Sequence, residues 1–503
     1  MKSKPDTVLS GYKSTSIPVL DSTTANTDIL ARIALTFPAS LSLSQLEDSW
    51  YALVRAWPVL AARVRPTPST PSGLSFFIPT PAKLDELEKR SRTTSNPLEK
   101  HIVVLDDSTH SVSAYHPIVG QAVQSQLDDT QISIGSSPEK KRLNESTCTN
   151  ACTSWKQLLA TDQAYVTAQA TKWSDATSLC IAFSHTLGDA FAVKDIFAAW
   201  AKALRGEVVA GLDGVGVDPF GRFLPHDGEK VEKLPLGWKK FGLANKIKLI
   251  SHLLWDIQVK RPEKTIKQYY VYIPKSKVDA LVAEAKADVK RIRSASTEEE
   301  SAREYTVSTF NVLFAWLLQN LHAANRHPSR HSSVLCVVNA KTRPPTGHIP
   351  SDYPQHQLWG GAFGVPLRRL LVRDYATLPL GQLALHIRVS LNEQIAPDNI
   401  RSNVRMLLRE TLWKKPSGEM VWFSPEPRDE WCGCTEWRSV KFGDVEIDKC
   451  RPVAISTHME IPMTQRNRWA LLGDAGGGVW FSGGMTETEA RWKDGFGRYK
   501  WVG

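Results

Sequence analysis

Apolar residues fall along this chain in two rhythms: short unbroken runs, and longer stretches that repeat every three or four positions. Leu30 to Phe37 is apolar with few breaks and reads as a buried strand. Ser44-x-x-Glu47 then resembles a capping box, and Leu46, Trp50, Leu53, Val54 and Trp57 share one helical face until Pro58 disfavours continuation. Thr177 to Phe183 reads as a second buried strand, followed by a Gly-containing turn. Val193, Ile196, Phe197, Trp200 and Leu204 follow with helical spacing.

The same alternation returns in the second half. Gln268 to Ile273 predicts a strand, Ser276 to Lys286 a helix, Thr309 to Leu321 a strongly apolar helix and Val334 to Val338 a buried strand. The tail alternates again at Gly478 to Ser482. Between the two series, Arg205 to Pro262 is rich in Gly and Pro with few long periodic runs, and reads as a crossover. The polar stretch Ser136 to Ser154 has the look of a surface insertion, and the charged run Lys286 to Glu304 reads as an exposed loop or helix extension. No internal repeat is visible. The expected class is α/β, with an N-terminal domain at 1–215, a linker at 216–262 and a C-terminal domain at 263–503.

At 503 residues, with 42% hydrophobic and 23% charged residues, the chain has ordinary globular composition and enough length for two cores. Its net charge of +10 raises the question of nucleic acid. The basic clusters are short, however, at Lys140 to Arg142, Lys290 to Arg293 and Arg368-Arg369, and no nucleic-acid-binding motif accompanies them. The positive field instead suits a phosphate-bearing small molecule. Met1-Lys2-Ser3-Lys4-Pro5-Asp6 lacks the apolar core of a signal peptide, and no apolar stretch is long enough to span a bilayer. Cys148 with Cys152, and Cys432 with Cys434, lack zinc-site spacing. The Asn144-Glu145-Ser146 sequon, without a secretory signal, reads as incidental. The expectation is a soluble cytoplasmic protein with no nucleic-acid or membrane partner and no metal.

Chemistry centres on His185-Thr186-Leu187-Gly188-Asp189. With 13 histidines in the chain and Asp near ~6% in ordinary sequences, about one His-x-x-x-Asp arises by chance, so the setting has to carry the weight. His185 stands at a strand end and Asp189 at the start of the next helix. A structural histidine accounts for the pentapeptide by itself better than a general base does. Gly188 and Ala190 nonetheless keep the turn tight and the imidazole approachable, and a neutral imidazole can take a proton from an attacking alcohol or amine. Asp189 reads as architecture, a buried partner for a cation.

His185-x-x-x-Asp189 after Cys180-Ile181-Ala182-Phe183-Ser184 resembles the HxxxD motif of the BAHD acyltransferases and their fungal relatives of trichothecene acetyltransferase type. The resemblance runs along nearly the whole chain. Trp57-Pro58-Val59-Leu60-Ala61-Ala62-Arg63-Val64 resembles the ending of the family's first long helix, and Ser308-Thr309-Phe310 with Ala315-Trp316 resembles another of its helices. Val338-Asn339-Ala340-Lys341-Thr342-Arg343 and Leu358-Trp359-Gly360-Gly361-Ala362 match two further segments in the expected order. The family's DFGWG signature is where the chain departs. Thr435-Glu436-Trp437 and Arg451-Pro452 frame the slot, but it reads Glu446-Ile447-Asp448-Lys449-Cys450, and Ala190 replaces the glycine usual after the motif aspartate.

The resemblance implies a monomer of two chloramphenicol-acetyltransferase-like domains, with a tunnel along their interface. Acyl-coenzyme A, expected to be acetyl-coenzyme A, would enter from one face and a small-molecule acceptor from the other. It implies His185 as the general base, Asp189 paired with Arg343 (Lys341 being the alternative), Thr435 as a candidate oxyanion donor, and Trp437 on the acceptor side. Trp359, Phe363 and Trp437 would suit a bulky, partly apolar acceptor such as an alkaloid, terpenoid or polyketide, unless they are simply core. Two other readings stay open. A nonribosomal-peptide condensation domain shares the motif histidine, but Ser184 stands where a second histidine is usual. A repurposed binding protein on the same scaffold is motivated by Ala190 and the altered DFGWG slot.

Overall fold

The computed structural model describes residues 9–137, 147–212, 214–224, 233–294, 306–324, 327–340, 358, 360–412, 420–460 and 464–503. Its frame is two β-sheets with helices on their faces, an α/β fold as the alternating pattern predicts.

The smaller sheet has five strands, in the order Ala454–Glu460, Leu30–Phe37, Thr177–Ser184, Val166–Trp173, Ile102–Asp107. All eight residues of Leu30–Phe37 and of Thr177–Ser184 are buried. Burial on both faces is why both read as largely apolar runs instead of alternating ones. Helices Leu43–Ala56 and Ala190–Leu204 pack together over this sheet, with the Trp50 and Trp200 rings edge-to-face at 4.9 Å. The Trp200 Nε1–H reaches the Ser49 hydroxyl at 3.0 Å.

The first of these helices starts one residue before the expected cap at Ser44. Its cap is Ser42, whose hydroxyl accepts from the Gln45 N–H. The reason is upstream: the buried Leu41 is pinned by its N–H to the Thr177 hydroxyl at 3.0 Å, so the chain can turn helical immediately after it.

The larger sheet runs Ala362–Pro366, His331–Asn339, Glu430–Glu436, Arg468–Gly473, Val479–Thr486, Ile266–Ile273, Ser133–Ser136, Lys500–Val502. Leu370–Leu371 pairs beside His331–Asn339 as a ninth strand. Helices Lys275–Ser294, Thr309–Ala323 and Leu380–Gln394 pack against one another over it. The charged run is thus partly a helix extension, since the helix expected over Ser276 to Lys286 continues to Ser294.

Contiguous domain boundaries do not partition these sheets. Ser133–Ser136, from within 1–215, lies in the larger sheet, and Ala454–Glu460, from within 263–503, lies in the smaller one. Each half lends the other a strand. The two sheets also meet through Thr457, whose carbonyl accepts from the Tyr270 hydroxyl at 3.0 Å and from Gln268 Nε2 at 2.6 Å.

Two segment expectations need correction. The stretch from Ser136 to Ser154 is not simply a surface insertion: Ser136 ends a strand, and Cys148, Asn150 and Cys152 are buried. Polar residues are tolerated there because they are bonded. The Thr149 N–H meets Gln169 Oε1 at 2.9 Å, and Asn150 Nδ2 meets the Lys100 carbonyl at 2.9 Å. The crossover holds a 13-residue helix, Leu243–Trp255, ahead of a π-turn at Asp256–Lys260.

Candidate active site

His185 continues the Thr177–Ser184 strand by one bond, its N–H donating to the Ile29 carbonyl at 3.0 Å. The chain then turns. The Leu187 N–H returns to the Ser184 carbonyl at 3.0 Å, and the Tyr165 hydroxyl clamps the turn through the Ser184 carbonyl at 3.2 Å and through the Thr186 hydroxyl. Thr186, Leu187, Gly188 and Asp189 are all buried, and His185 alone in the pentapeptide keeps partial exposure.

The imidazole is poised neutral. Burial lowers its pKa below the ordinary 6.5, opposed by the nearby Asp189 charge and by its own backbone carbonyl. Nδ1 is shut from solvent and has no partner in another residue. With Nδ1 enclosed, Nε2 is the ring nitrogen that could meet a substrate.

Asp189 caps the Ala190–Leu204 helix, its Oδ1 accepting from the Phe191 N–H at 3.0 Å and the Ala192 N–H at 3.4 Å. Its Oδ2 accepts from Asn339 Nδ2 at 2.7 Å. Asn339 is the last residue of His331–Asn339, so this bond joins the larger sheet to the turn that carries His185. These bonds tie the carboxylate to the start of its own helix and to the larger sheet. Arg343, the pair expected for Asp189, lies outside the described residues, as do Lys341 and Trp359.

Thr435 lies on the same face of the larger sheet as Asn339. His331–Asn339 and Glu430–Glu436 run parallel with Leu335 opposite Gly433 and Cys336 opposite Cys434. Alternation puts Leu335, Val337 and Asn339 on one face with Gly433 and Thr435. Those five are partly exposed, whereas Cys336, Val338 and Cys434 turn into the core behind. The sheet thus presents the Thr435 hydroxyl on the side where Asn339 grips Asp189.

Phe363 does not share that face. It pairs with Val338 and is buried in the larger core. Trp437 is also core, packed at 6.3 Å on Phe442, which meets Phe197 of the Asp189-capped helix at 6.4 Å. In both cases strand alternation and packing, invisible in the aromatic count, decide the direction of the ring.

The altered signature slot has a definite shape. Ile447 and Cys450 exchange backbone bonds at 2.9 Å, while Asp448 and Lys449 both take positive φ, at 48° and 62°. That is a two-residue turn of type I′. Ile447, 1% exposed, anchors it in the core.

Two residues that pattern reading missed complete the site. Asp21, 1% exposed, accepts the Gly360 N–H at 3.0 and 3.1 Å, holding the Gly360-Gly361 segment against the His185 turn. A Cβ at Gly360 would fall 2.5 Å from Asp21 Oδ1 and 3.7 Å from the Gly188 carbonyl carbon, so the approach needs glycine. Asn339 had only the faint signal of a polar residue ending an apolar strand, and Asp21 had none.

No protein-family model matches the chain. It is 58% identical to Acetyltransferase MATC1 of Mycosarcoma maydis over the full length of both, and 55% identical to Acetyltransferase MAT1 of Pseudozyma antarctica over 98% of each. Its fold is similar to that of F. graminearum TRI101 complexed with coenzyme A and deoxynivalenol, at a TM-score of 0.63 and 13% identity, covering 97% of this chain and 99% of that one. Vinorine synthase follows at 0.56 and 15% identity, covering 97% and 92%. With full-length identity above one half, the chain belongs to the family of acetyltransferases that includes MATC1 and MAT1, and it is an acyltransferase.

Proposed function

We propose that this protein is an acyl-coenzyme A-dependent O-acetyltransferase acting on a hydroxylated secondary metabolite, with His185 as general base. The observation that carries the reading is the state of His185: a partly exposed imidazole in an otherwise buried turn, lowered below its ordinary pKa, with Nε2 the nitrogen left to accept a proton.

In this mechanism Nε2 of His185 takes the proton of the acceptor hydroxyl as its oxygen attacks the thioester carbonyl. The Thr435 hydroxyl donates to the oxyanion of the tetrahedral intermediate, a role that needs a donor in place before charge develops. The C–S bond then breaks, and protonated His185 returns its proton to the departing thiolate. Asp189 and Asn339 do not touch the substrates; they hold the turn. TRI101 solved with coenzyme A, and relatives named acetyltransferase, support acetyl-coenzyme A as the donor.

The test is to incubate purified protein with acetyl-coenzyme A and a panel of hydroxylated metabolites, following release of free thiol. Transfer to at least one acceptor is expected, with loss in His185→Ala. Full activity in His185→Ala would overturn the assignment. Thr435→Val should cost about 10²–10³ in kcat, the usual effect of removing one oxyanion donor.

A further inference from the structure

Of the large hydrophobic side chains exposed on the described surface, most fall between Leu236 and Val259. Within the Leu243–Trp255 helix, Leu243, Ile247, Ile250 and Leu254 are 71%, 55%, 46% and 52% exposed. At 3.6 residues per turn these four occupy an arc of about 60°, one continuous stripe. Trp255 and Val259 extend the apolar surface at 60% and 54% exposed. The helix is fastened from behind by Leu249, with Phe241 and Ile257 buried at its two ends. A continuous apolar stripe that faces water in this way marks an interaction surface.

Charge selects what covers it. From Lys239 to Trp255 the only ionised side chains are four lysines, at 239, 240, 246 and 248, with no Asp or Glu among them. A second copy packed symmetrically on this stripe would oppose lysine to lysine. The C-terminal end of the helix carries an exposed tryptophan, a side chain suited to the headgroup region.

We propose that this helix is a membrane-docking element, lying in the plane of an anionic phospholipid surface with its apolar stripe at the acyl boundary and its lysines among the headgroups. No helix among the described residues is long and apolar enough to cross a membrane, so the contact is with the surface. It departs from the expectation of no membrane partner, and it is independent of the chemistry assigned to His185.

The experiment is co-sedimentation of the full chain with phosphatidylcholine vesicles with and without phosphatidylserine, at low and high salt. Binding is expected to the anionic vesicles and to weaken with salt. Ile247→Glu with Leu254→Glu should abolish it, and each Lys→Gln change among the four should weaken it roughly fivefold. Both sets of positions are on the surface, so unchanged circular dichroism and acyl transfer to a water-soluble acceptor confirm the fold. Absence of binding to anionic vesicles, or binding unchanged by the double substitution, would overturn the proposal. So would light scattering showing a dimer that the double substitution dissociates, since the stripe would then be a protein interface.

Discussion

At the scale of single residues, His185 is defined by what surrounds it more than by its motif. Burial is the largest influence on its pKa and lowers it, so the neutral form persists below pH 6.5. The sign is clear: a base must be unprotonated, so kcat/KM should rise with pH and level off with a midpoint below 6.5. A pH profile with a midpoint above that value would contradict a burial-lowered imidazole. Asn339 makes a second residue-scale prediction. Asn339→Leu strips one donor from the buried Asp189 carboxylate, a loss of about 1.5–3 kcal/mol for a bond to a charged group. Chemical denaturation should show that loss. Kinetics should show kcat lower by roughly tenfold to a hundredfold, as expected when a reacting group is misplaced.

Among the elements, the signature slot is the most informative. The turn at Asp448-Lys449 uses left-handed backbone at two residues that are not glycine, where an Asn-Gly pair is the favoured solution. Asp448→Asn with Lys449→Gly should raise stability by about 1 kcal/mol, the typical relief of one left-handed residue carrying a Cβ. Thermal melting reads this directly, and a lower melting temperature would mean that Lys449 has a contact that outweighs the strain. The departure from DFGWG therefore changes how the loop before Ala454–Glu460 is built without breaking the frame on either side. Trp437 still donates its N–H to the Leu471 carbonyl at 2.7 Å before the slot, and the Val453 N–H meets the Thr36 carbonyl at 2.9 Å after it.

Across the whole molecule, the crossover is tied to the larger sheet by a buried ion cluster. Arg261 bonds Asp256 at 3.0 Å, Glu430 at 2.8 Å and Glu489 at 3.2 Å, and Arg466 also pairs with Asp256. These cations, Arg261 first and Lys260 next, hold the Glu430 carboxyl well below its ordinary range despite burial that would raise it. Glu430→Gln leaves Arg261 and Lys260 short of charge in a dry site and should destabilise the protein by about 3–5 kcal/mol. Equilibrium unfolding checks this, and a change under 1 kcal/mol would show that the cluster is dispensable. The effect on stability is expected to be largest at neutral pH, where Glu430 of the parent is fully ionised.

How much of this was legible in the sequence follows from what each feature depends on. Leu30–Phe37, Thr177–Ser184 and Thr309–Ala323 were readable because strands and helices buried on most sides are mostly apolar, a property local to the segment. His185 was readable because a strand end, a turn and a helix start are adjacent in the chain. The Leu243–Trp255 helix escaped because it lies in a stretch dominated by Gly and Pro, and its outward stripe shows only once the rest of the chain is packed behind it. The places of Phe363 and Trp437 stayed open in the sequence for a related reason. Aromatic content says that a ring will be buried; only pairing parity and neighbours say against what. The exchange of Ser133–Ser136 and Ala454–Glu460 between sheets, and the bonds Asp21–Gly360 and Asp189–Asn339, join residues more than a hundred positions apart. The sequence by itself determined the α/β class, most of the buried elements and the strand-turn-helix setting of His185. The tertiary structure alone decided which strand joins which sheet, what grips Asp189 and which apolar face stays outside, because those outcomes depend on long-range contacts that no local pattern encodes.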